Sequence, residues 1–357
     1  MSVFRRLARQ VLSADVFAPL FRRVGRGLLS IFTLHRFTDP ALGVAGTDPA
    51  TLRDYLAYLR RHRYRLLSMT DVLDLLDEGN GRLTAPAVAF TVDDGYDDFA
   101  RIGAPIFAEY DCPVTLFVTT GFLDGQLWLW WDRVEYLLTR TRRSSLRLAL
   151  GPEERRYRWS TAGALAGVQA DVVDRLQWLD GAEREAVIAG LTQQLEVELP
   201  ANPPPEFAPI RWDEVRRTAR LGATFGPHTV THRILSSAAD EVCDWEIRES
   251  YGRLSQETDA CVPVLCYPNG ETRAVGRRGL EAAQRAGVKA ALTTVPGYAT
   301  PCGVRSQGAL GRFALPRFPY PDDRAHLVHV VAGLARSKHQ IRRGHPRPSD
   351  VASFSVP

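Results

Sequence analysis

Two short clusters hold the residues of this chain best placed to do chemistry. The first is Thr91-Val92-Asp93-Asp94-Gly95-Tyr96-Asp97-Asp98, where adjacent carboxylates follow an apolar run and a glycine turns the chain. Neighbouring side chains at the end of a strand diverge, so Asp93 and Asp94 can serve two adjoining positions. One can ligate a metal while the other works as a base. The same residues also spell a turn with a helix N-cap behind it. The second cluster is Gly226-Pro227-His228-Thr229-Val230-Thr231-His232. Histidines at i and i+4 lie on one face of a helical turn, or on one side of a tight loop, and both imidazoles can then reach a single ion. No Glu follows His228, so this is not the H-E-x-x-H of metalloproteases. The plainer alternative is two unrelated histidines that cap or pack. Taken together the clusters say more, because the chain has only eight histidines. One carboxylate and two imidazoles leave a coordination position open, as catalytic ions require. Zinc is the default occupant, and manganese, cobalt or iron accept the same donor set.

Residues so far apart must be carried to one place by the fold. Strand-length runs rich in apolar and β-branched residues are expected at Leu28–Leu34, Ala87–Val92, Val114–Thr119, Thr224–Thr229, Val262–Tyr267, Lys289–Thr293 and Phe313–Phe318. Helices are expected between them, at Thr51–Arg61, Asp97–Glu109, Trp212–Leu221, Asp240–Glu257, Gly276–Ala286 and Asp323–Arg336. Repeated β-then-α units mean a mostly parallel sheet, and this many units favour a barrel. The stretch from about 125 to 210 breaks the rhythm. It reads as a hairpin turning at Gly151-Pro152, two helices around Gly181 and a Pro-rich joint, an insertion of helical character.

In this order and this β/α setting, T-V-D-D-G and H-T-V-T-H resemble the polysaccharide deacetylase family (the NodB homology domain, carbohydrate esterase family 4). The resemblance covers roughly Leu28 to His329. It implies a distorted (β/α) barrel with a helical insertion, which removes N-acetyl groups from amino sugars with a metal-activated water. By position, Asp94, His228 and His232 would be the metal ligands and Asp93 the general base. Cys266-Tyr267-Pro268-Asn269-Gly270 matches the family's third motif in part, and Tyr267 lies where the family supplies a backbone N–H for the oxyanion. The arginine that many members place just before that motif is missing, which leaves Asp93 without its usual brace. The late Leu-x-His of many members is also missing, the matching strand reading Ala314-Leu315-Pro316-Arg317-Phe318. His326 and His329 follow on an expected helix. The better general acid is His35 in Leu34-His35-Arg36-Phe37, which resembles the tyrosine-histidine-arginine signature of the poly-N-acetylglucosamine deacetylase branch. Arg317 then orients an acidic group or contacts substrate.

The composition narrows the setting. Of 357 residues, 45% are hydrophobic and 24% charged, which excludes disordered, collagen-like and coiled-coil chains. The net charge of +4 comes with 43 arginines against two lysines, spread along the whole chain, so it marks no nucleic-acid surface. Five cysteines without C-x-x-C spacing argue against a disulfide framework and for a reducing, cytoplasmic compartment. The expected layout is an N-terminal helical extension at 1–26, the barrel at 27–337 and a poorly ordered basic tail at 338–357. The N-terminal segment lacks a clean signal-peptide core and is compatible with peripheral membrane contact; export stays open. Six of the seven tryptophans fall in or beside the insertion, either to dock it or, for Trp128 and Trp130, to stack on sugar rings. The expected function is metal-dependent deacetylation of an N-acetylated polysaccharide, oligosaccharide or glycolipid. The alternatives are a metal-dependent amidohydrolase on a non-sugar C–N bond and an inactive glycan-binding homologue.

Overall fold

The computed structural model describes residues 18–78 and 83–335. Most of the expected N-terminal extension, and all of the 338–357 tail, lie outside the described residues. Contacts divide the chain into two compact units, one formed by 1–124 with 209–357 and the other by 125–208.

The first unit is built on parallel strands: β1 (Leu29–Leu34), β2 (Arg65–Leu66), β3 (Ala87–Val92) and β4 (Val114–Val118). The second unit holds β5 (Ser145–Leu150) and β6 (Glu153–Arg158), and the first resumes with β7 (Ala223–Pro227), β8 (Val264–Cys266), β9 (Ala290–Leu292) and β10 (Phe318–Pro319). The main sheet runs β10-β1-β3-β4-β7, with β2 beside β3, while β8 and β9 form a separate parallel pair. Single bridges complete the circuit: Phe225 with Cys261 next to β8, and Leu292 with Leu315 ahead of β10. A barrel held by full ladders on one side and lone bridges on the other is distorted in the literal sense.

Strands buried on both faces read as continuous apolar runs, and β1, β3 and β4 are buried at every position. Their period of two sorts the side chains into columns. In register across the β1–β3 ladder stand Leu29 with Ala87, Ile31 with Ala89, and Thr33 with Thr91. The apolar members of these columns join Val264, Cys266, Ala290, Leu292 and Leu315 in one core cluster. Continued two residues beyond the last pair, the same columns reach His35 and Asp93. The strands therefore change from apolar to polar at their C-terminal ends, where parallel barrels place their chemistry.

Several boundaries differ from the sequence reading. The expected helix Asp97–Glu109 begins as a π-turn at Phe99–Gly103 before Ala104–Glu109. Gly103, at the end of this turn, packs so closely on Phe37 that an added Cβ would lie 2.5 Å from its ring. The last strand is shorter than expected: Gly311–Phe313 forms a 3-10 turn, Leu315 makes a lone bridge, and the strand itself begins at Phe318.

The second unit has its own core. Val134, Leu137 and Leu138 of helix Trp130–Arg140 meet Leu146 and Leu148 of β5, with Val172, Leu176, Ile188 and Leu191 from helices Ala162–Leu176 and Gly181–Leu195. Trp130 and Trp159 pack against this cluster, and Trp128 lies edge-on to Tyr136 with its ring centroid 6.0 Å from Phe207. These indoles are thus used for the unit's own packing. No helix among the described residues is long and apolar enough to cross a membrane.

Candidate active site

The D-D-G turn gives its two adjacent carboxylates different sets of partners around His228. Asp93 is still held in the sheet, its N–H donating to Leu34 O at 2.9 Å. Asp94 has a left-handed backbone, φ 78°, and so does Gly95, φ 102°. A left-handed aspartate is uncommon, with a cost of about 1–3 kcal/mol, and such strain gathers where it aims a functional side chain. Thr119 N–H donating to Asp94 O, and Ile210 N–H donating to Gly95 O at 2.8 Å, hold the turn from two sides.

Asp94 meets the two histidines. Its Oδ1 lies 3.5 Å from His228 Nε2 and 3.4 Å from His232 Nε2, with all three residues buried. Burial works against its charge, but hydrogen bonds from His228 and His232 outweigh it and hold the carboxyl well below the usual range. The histidines converge through a loop, not a helical turn. Thr229 and His232 are both left-handed, φ 67° and 56°, directly after β7. Gly226 lets β7 come close to its neighbours, since a Cβ there would stand 2.4 Å from Phe117 and 2.7 Å from Val264 O. The His228 Nδ1 sits 2.7 Å from Cys266 O. A carbonyl can only accept, so Nδ1 carries a hydrogen, and Nε2 is the nitrogen turned toward Asp94, the one that would give its lone pair to an ion.

This set fits a divalent ion. Donors at about 2.0–2.1 Å in a tetrahedron stand about 3.3–3.4 Å from one another, close to the spacing of Asp94 from both imidazoles. The Nδ1–H of His228, held by Cys266 O, supplies the outer hydrogen bond that imidazole ligands usually make.

Asp93 belongs to a different environment. Arg317 reaches it with two parallel bonds, Nη1 to Oδ1 at 2.8 Å and Nη2 to Oδ2 at 2.7 Å, and Thr33 adds its hydroxyl at 3.2 Å. Burial raises the Asp93 carboxyl, but the Arg317 guanidinium overcomes this and brings it down to about 2. Arg317 is itself fully buried (0% exposed) and saturated with acceptors: Thr293 O, Thr91 Oγ1 and Cys266 Sγ at 3.0–3.1 Å. Of the two roles expected for Arg317, orienting an acidic group is the one its position permits. The brace missing from the third motif thus arrives just ahead of β10.

His35 stands at the rim, 52% exposed, with Nε2 3.9 Å from Asp93 Oδ2. Its rival His326 faces Asp322 instead. Tyr267 departs from expectation. Its N–H, expected to face an oxyanion, donates to Leu292 O at 3.2 Å, because the residue continues the β8–β9 ladder by one step. Its ring is packed with Leu265, Leu280 and Phe313, and its hydroxyl donates to Gly279 O. The third motif contributes through Cys266, whose carbonyl fixes His228 and whose sulfur accepts from Arg317. Burial raises that thiol, which keeps it neutral beside the guanidinium. Sequence reading assigned no role to Cys266, Thr33 or the buried Glu246. A Glu at the core spacing of helix Asp240–Glu257 was the available signal for the last.

The sequence model of the polysaccharide deacetylase family matches residues 167–291. That span contains both histidines and the Cys266–Gly270 segment, while Asp93 and Asp94 join them only through the fold. No curated protein matches the chain in sequence. Among solved structures it is similar to the Streptococcus pyogenes deacetylase PplD in complex with acetate, with TM-score 0.54 and 18% identity over 85% of this chain and 98% of that one. It is also similar to IcaB from Ammonifex degensii, with TM-score 0.53 and 14% identity over 85% of this chain and 97% of that one. The fold is that of the NodB-type deacetylases, and the resemblance carried by the two motifs is borne out.

Proposed function

We propose that this chain, which carries a polysaccharide deacetylase domain, hydrolyses the N-acetyl amide of an amino sugar in a glycan or glycolipid and releases acetate. The observation that carries the reading is a carboxylate oxygen 3.4–3.5 Å from two imidazole nitrogens, next in sequence to an aspartate locked by a buried arginine. Asp94, His228 and His232 would hold the ion, with zinc favoured by the donor set. Such an ion, when bound, polarises an amide carbonyl and lowers the pKa of water.

The chain's own groups do the rest. Asp93 accepts the proton of the attacking water. With its carboxyl near 2 it is ionised over the whole working range, and it holds a proton only briefly before passing it on. The Arg317 fork and the Thr33 hydroxyl fix the carboxylate plane, so the acceptor lone pairs are already aimed when substrate arrives. His35 stands at the open end of the same carboxylate and delivers a proton to the departing amine.

Acetate release from N-acetylglucosamine oligomers, lipid-linked amino sugars and small amides tests this reading. Wild type should be active on the sugars, lose activity on chelation and regain it with zinc. Asp93→Asn should be about 10²–10⁴-fold slower. Acetate release by Asp93→Asn at the wild-type rate would remove Asp93 from the base role. Full activity in protein without stoichiometric metal would overturn the metal role of Asp94, His228 and His232, and no acetate release from any of the sugars would overturn the reading as a whole.

A further inference from the structure

Glu246 takes no part in the chemistry above, yet it occupies a place where a carboxyl group needs a reason. Helix Asp240–Glu257 buries Cys243, Glu246, Ile247, Ser250 and Leu254, the three-and-four spacing of a core-facing stripe. Glu246 is only 1% exposed. A carboxyl group on such a stripe is costly unless its oxygens find donors. Here the donors come from a loop 15 and 16 residues earlier in the chain. Its Oε2 accepts the N–H of Val230 at 2.8 Å and of Thr231 at 2.9 Å, and its Oε1 accepts the Thr231 hydroxyl.

Val230 and Thr231 are the residues enclosed by Thr229 and His232, both of which have left-handed backbones. For Thr229, β-branched, that conformation is a genuine outlier. A strained loop relaxes unless its surroundings over-determine it. Three donors drawn onto one carboxyl group fix the two peptide planes inside that loop. They therefore fix the angle at which His232 follows His228.

We propose that Glu246 is a positioning residue for the metal loop, and that ion affinity depends on it through the geometry of His228 and His232. The inference rests on the metal reading of Asp94, His228 and His232. Groups that hydrogen-bond the ligands themselves typically contribute about 10–100-fold to metal affinity, and Glu246, acting through the backbone between them, is expected to contribute within that range. A glutamine at this position keeps an oxygen for the two N–H groups and an amide for the threonine oxygen. An aspartate keeps the carboxyl group but falls one methylene short of the loop.

The test is zinc affinity, measured on chelator-stripped full-length protein by competition with a chromogenic chelator, with the visible spectrum of the cobalt form as a second readout. Glu246→Ala and Glu246→Asp should bind zinc 10–100-fold more weakly and lose the intense tetrahedral cobalt bands. Glu246→Gln should stay within a few-fold of wild type and keep those bands. Should Glu246→Ala fail to fold, the Asp and Gln pair decides the matter, with near-UV circular dichroism confirming native packing. Wild-type affinity and spectrum in the folded Asp variant would overturn the role of Glu246 alone. A wild type that binds neither zinc nor cobalt would overturn the metal reading beneath it.

Discussion

Two buried aspartates with arginine partners lie five residues apart, and their carboxyl groups are driven in opposite directions. Asp93 is brought down to about 2, whereas Asp98 is pushed up to about 6. Burial is the largest influence on both, and it raises both. What differs is how completely the charge is satisfied. Each Asp93 oxygen takes its own guanidinium hydrogen bond, and Thr33 adds a third donor. Asp98 takes its bonds, from Arg36 Nε at 2.5 Å and from the Phe37 N–H, on one oxygen, and its Oδ1 is buried with no hydrogen-bond partner. Arg36 also divides its attention, with its guanidinium carbon 3.9 Å over the Tyr96 ring. An arginine nearby is therefore not enough to keep a buried carboxylate charged. The forked, two-oxygen contact decides the outcome.

The most severe way to break this contrast is to remove Arg317. Arg317→Met leaves a buried carboxylate unpaired and should destabilise the fold by about 3–5 kcal/mol in urea denaturation, with acetate release abolished. The double variant Asp93→Asn/Arg317→Met should be more stable than Arg317→Met, because no charge is then stranded. Simple additivity of the two substitutions would refute the pairing.

Asp98 gives a smaller and pH-dependent effect. Its folded value lies above the unfolded one, so between about pH 4 and 6 the folded state holds more protons, and stability must fall as pH rises through that window. Asp98→Asn does not titrate. Compared with it, wild type should lose on the order of 2–3 kcal/mol from about pH 4 to pH 7, a shift of about two units at 1.36 kcal/mol each. Parallel stability curves for the two proteins would show that Asp98 is not held high.

His35 sharpens the comparison from outside, because it faces Asp93 from solvent. His35→Ala should leave stability within about 0.5 kcal/mol, as exposed substitutions do, while acetate release falls about 10²-fold. Unchanged turnover would return the acid role to another group.

Much of this was legible in the sequence, and the reasons are local. Asp93, Asp94, His228 and His232 announce themselves because short motifs at strand ends keep their spacing when the chain folds. The loop geometry of the histidines was open, since i and i+4 fit a helical turn as well as a loop; the left-handed Thr229 and His232 settle it. Tyr267 was misread because a single added rung in the β8–β9 ladder consumes its N–H, and ladder length is not written in a motif. The Arg317 brace was half visible. Its residue type was right, but its partner could be named only once the last strand was seen beside β1. The same holds for the second unit, whose tryptophans look alike in sequence whether they face sugar or their own core.

The Arg317–Asp93 pair spans 224 residues, and this matters while the chain is being made. Strands β1, β3 and β4 precede Arg317 by about two hundred residues or more, so the carboxylate at the end of β3 lacks its arginine until residue 317 has been made. Until then, closing the barrel over Asp93 would bury its carboxyl group without the arginine, which is expected to disfavour early closure. Translation products that stop before residue 317 should stay open and accessible to proteases. The contact is thus expected to tie closure of the barrel around Asp93 to the arrival of the segment that lies beside β1.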